Sequence, residues 1–237
     1  MIFGVRIGAV FPRSAEPAAM SAMSVLDDPL RRELYQLVAD SGEPVSREDA
    51  ASAVGIGRTL AAYHLDKLAD AELLAITYQR PDGRSGPGAG RPAKLYGLAE
   101  REFAVSVPPR DYLLLAAILV AAIEQDTDGS VRAVVAHAAR EAGSEAARQA
   151  DGDLVAALRD CGYLPRTDGD GDISLRNCPF HAIARDHLNV VCGLNLELIN
   201  GAIAGSSSND ARAALNPRPG HCCVELHDVI PVEPRRT

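Results

Sequence analysis

The stretch from Pro44 to Leu98 constrains the fold more than any other part of the chain. Ser46 is a good helix N-cap, and Asp49 stands three residues on, in capping-box position. Ala50, Ala53 and Val54 fall on the inward face of the helix that follows. Gly55-Ile56-Gly57 breaks it. A next helix is expected from about Arg58 to Ala71, with Leu60, His64 or Leu65, and Leu68 toward the core at helical spacing. Its other face offers Arg58, Thr59, Ala62, Tyr63, Asp66 and Lys67. Leu74 to Gln79 and Ala93 to Leu98 alternate as strands do. The residues between them, Pro81-Asp82-Gly83-Arg84-Ser85-Gly86-Pro87-Gly88-Ala89-Gly90-Arg91-Pro92, suit neither helix nor sheet. Upstream, Asp28-Pro29 opens a helix carrying Leu30, Leu34, Leu37 and Val38 on one face, and Gly42 ends it.

Helix, glycine turn, helix, strand, basic loop, strand is the layout of a winged helix-turn-helix, which sets one helix in the DNA major groove. A three-helix bundle with no DNA role competes with this reading, and the strand pair with its basic tip argues against the bundle. The net charge of −8 excludes a chain that is basic all over. It does not exclude DNA binding, which depends on the local field of the reading face. The expected contacts are Arg58, Thr59, Tyr63, His64 and Lys67 from the helix, and Arg80, Arg84, Arg91 and Lys94 from the wing. The segment Leu65-x-Lys67-Leu68-x5-Leu74, with Gly90-Arg91-Pro92-Ala93-Lys94-Leu95-Tyr96, resembles the bacterial ArsR/DeoR-type winged-helix repressors. The resemblance covers roughly residues 28–100 and implies a repressor.

The remaining chain divides in turn. Residues 1–27 read as a disordered leader, 28–101 as the winged helix, 108–126 as linker and dimerisation helix, 127–231 as a C-terminal sensor domain and 232–237 as a tail. The fold class expected is α+β. Pro108-Pro109 is the linker. Arg110 to Gln125 is apolar nearly all round and too short to span a bilayer comfortably, so it should be buried, most naturally in a two-fold dimer through Leu113, Leu114, Ile118 and Val120. Helices are expected over Val131 to Ala150 and Leu154 to Cys161. Asp168-Gly169-Asp170-Gly171-Asp172 hints at calcium, but Ile173 stands where an EF-hand needs glycine and Pro179 where it needs glutamate, so a polar turn is the better reading.

All five cysteines, Cys161, Cys178, Cys192, Cys222 and Cys223, lie in the last third of the 237 residues. Thirteen residues separate Cys178 from Cys192 and 29 separate Cys192 from Cys222, too wide for zinc-finger spacing. Cys178 before Pro179 and Cys192 are both expected at helix starts, where the helix dipole favours thiolates. Three thiolates from distant segments suit an iron–sulfur cluster. Cysteines that are merely core residues are the plain alternative. Cys178-x-x-His181 also makes a zinc half-site, and Cys161 reads as core. A winged helix followed by Cys178-Pro179, by Cys192 with Glu197 just after it, and by Cys222 or Cys223 resembles the SufR family of iron–sulfur repressors. That resemblance implies a 4Fe–4S cluster in a homodimer, held by Cys178, Cys192 and one of Cys222 and Cys223. The fourth ligand is open among His181, Cys161 and Glu225. There is no nucleophile–base pair, phosphate loop or dinucleotide fingerprint. The expectation is a cytoplasmic, non-enzymatic regulator of double-stranded DNA at an inverted-repeat operator. A cluster-bearing enzyme, or a regulator that binds zinc or an organic effector with its cysteines structural, are the alternatives.

Overall fold

The computed structural model describes residues 16–79, 92–106, 110–167, 171–208, 210–218 and 221–229. Two units divide at Arg110 and Asp111.

The N-terminal unit runs α1 (Glu16–Val25), α2 (Pro29–Ser41), β1 (Val45–Ser46), α3 (Arg47–Val54), α4 (Arg58–Asp70), β2 (Leu74–Gln79) and β3 (Ala93–Leu98). The caps are those the residues dictate. The Asp28 carboxylate accepts the Arg31 N–H at 3.0 Å. The Ser46 hydroxyl accepts the Asp49 N–H at 3.2 Å and donates to the Asp49 carboxylate at 2.8 Å. Gly55 ends α3 at φ +72° with open space around it, so a side chain there is opposed by backbone strain alone. The strands order β1-β3-β2, all antiparallel, with the hairpin in register from Leu74↔Leu98 to Gln79↔Ala93. Leu34, Val38, Ala50, Leu65, Leu68, Leu74 and Tyr96 form the core between helices and sheet.

Residues 16–25 are helical, which corrects the expectation of a leader without structure up to residue 27. Ala19 and Ala22, one turn apart, are buried, and Val25 packs on the core. Two small residues and a valine at helical spacing are a short apolar stripe that reads as bland composition. Leu60 also departs from expectation: it is exposed, while Ala61, His64, Leu65 and Leu68 face inward. The strand β1 is two residues long and carries no sequence signal of its own.

The C-terminal unit runs α5 (Tyr112–Glu124), α6 (Ser130–Gln149), α7 (Leu154–Asp160), β4 (Pro165–Thr167), β5 (Ile173–Leu175), α8 (His181–Ala184), α9 (Leu188–Gly205), β6 (Arg212–Leu215) and β7 (Val224–His227). The sheet orders β4-β5-β7-β6, all antiparallel. The helix α9 is long and apolar enough by composition to cross a bilayer. Here it is the core helix, with Val191, Asn195, Ile199, Ala202 and Ile203 buried along it.

The helices α6 and α9 touch backbone to backbone. A Cβ on Gly143 would lie 1.8 Å from the Leu198 carbonyl oxygen, and one on Gly201 would lie 1.9 Å from that of Arg140. At the rim of this contact Arg140 donates to the Glu197 carboxylate.

The apolar helix α5 is not buried all round. Ala117 packs with Ile183, Ala184 and Val191, and Leu113, Ala116 and Val120 rest against them. Tyr112, Leu115, Ile118 and Leu119 face outward. The outward set therefore replaces the expected one of Leu113, Leu114, Ile118 and Val120, with only Ile118 common to both. The carboxyls of Asp168 and Asp170 lie outside the described residues. That of Asp172 accepts from His227 at 2.9 Å, the contact of a strand-to-strand tie.

Candidate functional site

Two groups of side chains carry chemistry, one in each unit. In the first, Gly57 starts α4 without a side-chain cap. The outward face of α4 carries Arg58, Thr59, Leu60, Tyr63, Lys67 and Asp70, all exposed. Tyr63 is 54% exposed, and its ring is braced edge-on against that of His64 at 5.2 Å. Arg58 reaches the Glu48 carboxylate of α3 at 2.8 Å, which fixes its direction at the helix start. Lys67 stands 3.9 Å from Asp70, a loose surface pair.

Two expected contacts take other roles. The His64 ring is 7% exposed and packs inward on α4, so it is a core residue and not a base reader. Its Nδ1 has no hydrogen-bond partner among the described residues. Lys94 hydrogen-bonds the Asp66 carboxylate, which also accepts the Tyr96 hydroxyl at 2.7 Å. The Lys94 ammonium lies 5.2 Å from the Tyr96 ring centre. Lys94 thus fastens β3 to the reading helix instead of pointing from the wing. Its place two residues before Tyr96, on the strand face turned to α4, is the reason. Burial works to raise the Asp66 carboxyl, but the hydrogen bonds from Lys94 and Tyr96 outweigh it and hold the group below its ordinary value. Lys94 is raised by its bond to Asp66, and Tyr96 is pushed up to about 12, mainly by burial and then by Asp66. Arg80, Arg84 and Arg91 lie outside the described residues. Leu60 joins the surface set although its apolar character points to the core. Exposed beside Thr59 and Tyr63, its side chain is of the type that contacts thymine methyls.

The sequence model of the family described as "Helix-turn-helix domain" matches residues 26–77. This chain carries a helix-turn-helix domain. Such a domain is the reading unit of DNA-binding transcriptional regulators, and α3, Gly55 and α4 are its helix, turn and reading helix. No curated protein and no solved structure matches the chain.

In the C-terminal unit beyond this helix-turn-helix domain, four thiols meet. Cys192 neighbours Cys223, Cys223 adjoins Cys222 in the chain, and Cys222 neighbours Cys178. They arrive from three segments: Cys178 after β5, Cys192 from α9, and the vicinal pair at the start of β7. Cys222 and Cys223 are buried, and Cys178 and Cys192 half-buried, against Tyr163, Leu175 and Val224. The Cys178 thiol is held below its ordinary value by the bond from Cys222 and, against the cost of burial, by the Phe180 N–H. Burial and the bond to Cys223 push Cys192 up to about 12. Cys222 is raised by donating to Cys178, and Cys223 by donating to Cys222.

The fully buried Asn195 of α9 closes the site. Its amide nitrogen donates to the Cys222 sulfur at 3.0 Å and to that of Cys223 at 3.7 Å. Its oxygen accepts the Tyr163 hydroxyl.

Neither Cys178 nor Cys192 stands at the start of a long helix, contrary to the expectation from sequence. Cys192 is the fifth residue of α9, because the helix begins at Leu188. Cys178 precedes a helix of only one turn, so its N–H donor is Phe180 and not a helix dipole. Cys161, the C-cap of α7, packs on the same core, its thiol raised by burial and then by Asp160. His181 is exposed on α8. The Glu225 carboxylate is engaged by Arg218 and Asn216, and that of Glu197 by Arg140.

Among the described residues, no three His, Cys, Asp or Glu side chains surround a common point as a bound metal requires. The thiols form a row. What fits an iron–sulfur cluster is the donor set: four sulfurs from three segments in an apolar pocket, with the Asn195 N–H donor already on two of them.

Proposed function

We propose that this helix-turn-helix protein is a homodimeric transcriptional repressor whose C-terminal unit responds to iron–sulfur or redox status through Cys178, Cys192 and the Cys222–Cys223 pair. The observation that carries the reading is the gathering of these four thiols in one apolar pocket, with the buried Asn195 amide donating to two of them. A 4Fe–4S cluster, when bound, supplies thiolate–iron bonds that join the three segments to one another. Ordering energy of this kind couples metal binding to folding.

The residues suggest how such a change reaches the rest of the unit. Cys178 and Cys192 bracket α8 and the start of α9, the segment on which α5 rests through Ala117, Ile183, Ala184 and Val191. His187 contacts Glu124 at the end of α5 at 2.9 Å. Loosening residues 178–192 would loosen the seat of α5. The outward apolar row of α5, Tyr112, Leu115, Ile118 and Leu119, is the surface proposed to meet a second copy. A two-fold dimer would set two α4 helices against half-sites about one DNA turn apart, roughly 34 Å, so the operator would be an inverted repeat.

Zinc is the second reading, because four thiols also make a tetrahedral zinc site. Iron, sulfide and zinc analysis of anaerobically purified protein separates the two. Iron and acid-labile sulfide with broad absorption near about 400 nm support the cluster. Stoichiometric zinc without colour supports zinc, and neither metal leaves the cysteines structural.

A further inference from the structure

On α9 the buried positions are Val191, Asn195, Ile199, Gly201, Ala202 and Ile203. Five have no polar side-chain atom, and the sixth is an amide with no exposure at all. A buried amide is costly unless every polar atom finds a partner. Here the partners are the Tyr163 hydroxyl on one side and two sulfurs on the other. Because the Asn195 oxygen accepts from Tyr163, its nitrogen is the atom turned to the thiols. A thiolate accepts hydrogen bonds and cannot donate them, so this is the orientation a ligating cysteine needs.

The two cysteines of the pair are not equivalent. The Cys222 sulfur receives Asn195 at 3.0 Å against 3.7 Å for Cys223. Cys222 is also the more deeply buried of the two, and it neighbours Cys178. Charge on Cys222 would therefore be met by the short 3.0 Å reach of the Asn195 amide, while Cys223 has only the longer one.

We infer that Asn195, steadied by Tyr163, is the positioning residue of the thiol site and selects Cys222 over Cys223 as the third ligand. This selection rests on the cluster reading above. Hydrogen bonds to ligand sulfurs tune both affinity and electronic levels at thiolate metal sites. Removing an N–H donor raises the energy of the sulfur lone pair, so charge transfer from sulfur to metal moves to longer wavelength.

The test uses the reduced, metal-free full-length chain under argon, with cobalt(II) as probe. The wild type should develop thiolate-to-cobalt absorption. Cys222→Ser should abolish it and Cys223→Ser should keep it. Asn195→Leu should weaken cobalt binding about 10–100-fold, the usual cost of removing a partner behind a metal ligand, and move the band to longer wavelength. Tyr163→Phe retains the ring and should give a smaller loss with a shift in the same direction. If Asn195→Leu fails to fold by circular dichroism, Tyr163→Phe decides the matter. Unchanged affinity and band position in the folded variants, or loss of binding in Cys223→Ser instead of Cys222→Ser, overturns the inference and leaves the cluster reading standing. A wild type that binds neither cobalt nor iron and sulfide overturns both.

Discussion

At the scale of single residues, the helix-turn-helix unit separates the side chains proposed to read DNA from those that support the helix. Arg58, Thr59, Leu60, Tyr63 and Lys67 present side chains to solvent. His64, Asp66, Lys94 and Tyr96 hold the reading helix in place. Arg58→Ala and Tyr63→Ala should relax sequence discrimination, at roughly 1–3 kcal/mol for each base no longer read. A competition series with mutated duplexes measures this, and equal weakening on every duplex would count against base reading by these residues.

The Lys94–Asp66–Tyr96 tie carries a pH signature. Asp66 titrates below its ordinary value in the fold, so its contribution is present above about pH 3.9, the unfolded value. It is lost as pH falls through the lower folded value. Lys94 and Tyr96 are raised, so their contributions are complete below their unfolded values, about 10 for both. They are lost as pH rises through the folded ones, which for Tyr96 is about 12. Thermal melts of wild type and Asp66→Asn should differ most between about pH 5 and 9 and converge as the acid is protonated. A difference that persists at about pH 2, below the ordinary carboxylate range, would assign the effect to packing.

At the scale of elements, the legible parts are those with local rules. The caps at Asp28 and Ser46, the glycine stop at Gly55 and the alternating β2–β3 hairpin all follow from neighbouring residues. The strand β6 and the meeting of the four thiols depend on groups far apart in sequence, and spacing alone does not reveal them. Lys94 reads as a wing cation because strand alternation shows that it shares a face with Tyr96, but not that Asp66 lies above that face. The place of Cys192 inside α9 is hidden in the sequence because nothing at Leu188 marks a strong helix start: no side chain caps it.

The glycine contact of α6 on α9 is the most demanding element interface. Gly143→Ala or Gly201→Ala places a methyl group against a backbone carbonyl. Overpacking of this kind costs about 1–3 kcal/mol or more, so the C-terminal unit should melt several degrees lower by calorimetry. Ala147→Gly on α6 is the contrasting change: Ala147 is buried without such a clash, and its replacement should cost roughly 1 kcal/mol, the difference in helix propensity.

At the scale of the whole molecule, a DNA-reading unit and a sulfur-bearing one are proposed to work together through self-association on α5. Four large apolar side chains of that helix, Tyr112, Leu115, Ile118 and Leu119, stand outward, a patch that monomers rarely leave open. Leu115→Glu with Leu119→Glu should convert a dimer to monomers in sedimentation analysis. Affinity for an inverted-repeat duplex should then fall toward that for a single half-site. A wild-type monomer at micromolar concentration would rule out the dimer.

The central claim is that occupancy of the thiol site controls DNA binding, and operator affinity tests it most directly. A duplex is selected from a random pool with the anaerobically loaded full-length protein. Loaded and metal-free forms are then titrated on it at one salt concentration. The prediction is tighter binding by the loaded form, by about 1–3 kcal/mol or 5–150-fold, with the difference absent in Cys178→Ser. Equal affinity of the loaded and metal-free forms would contradict it.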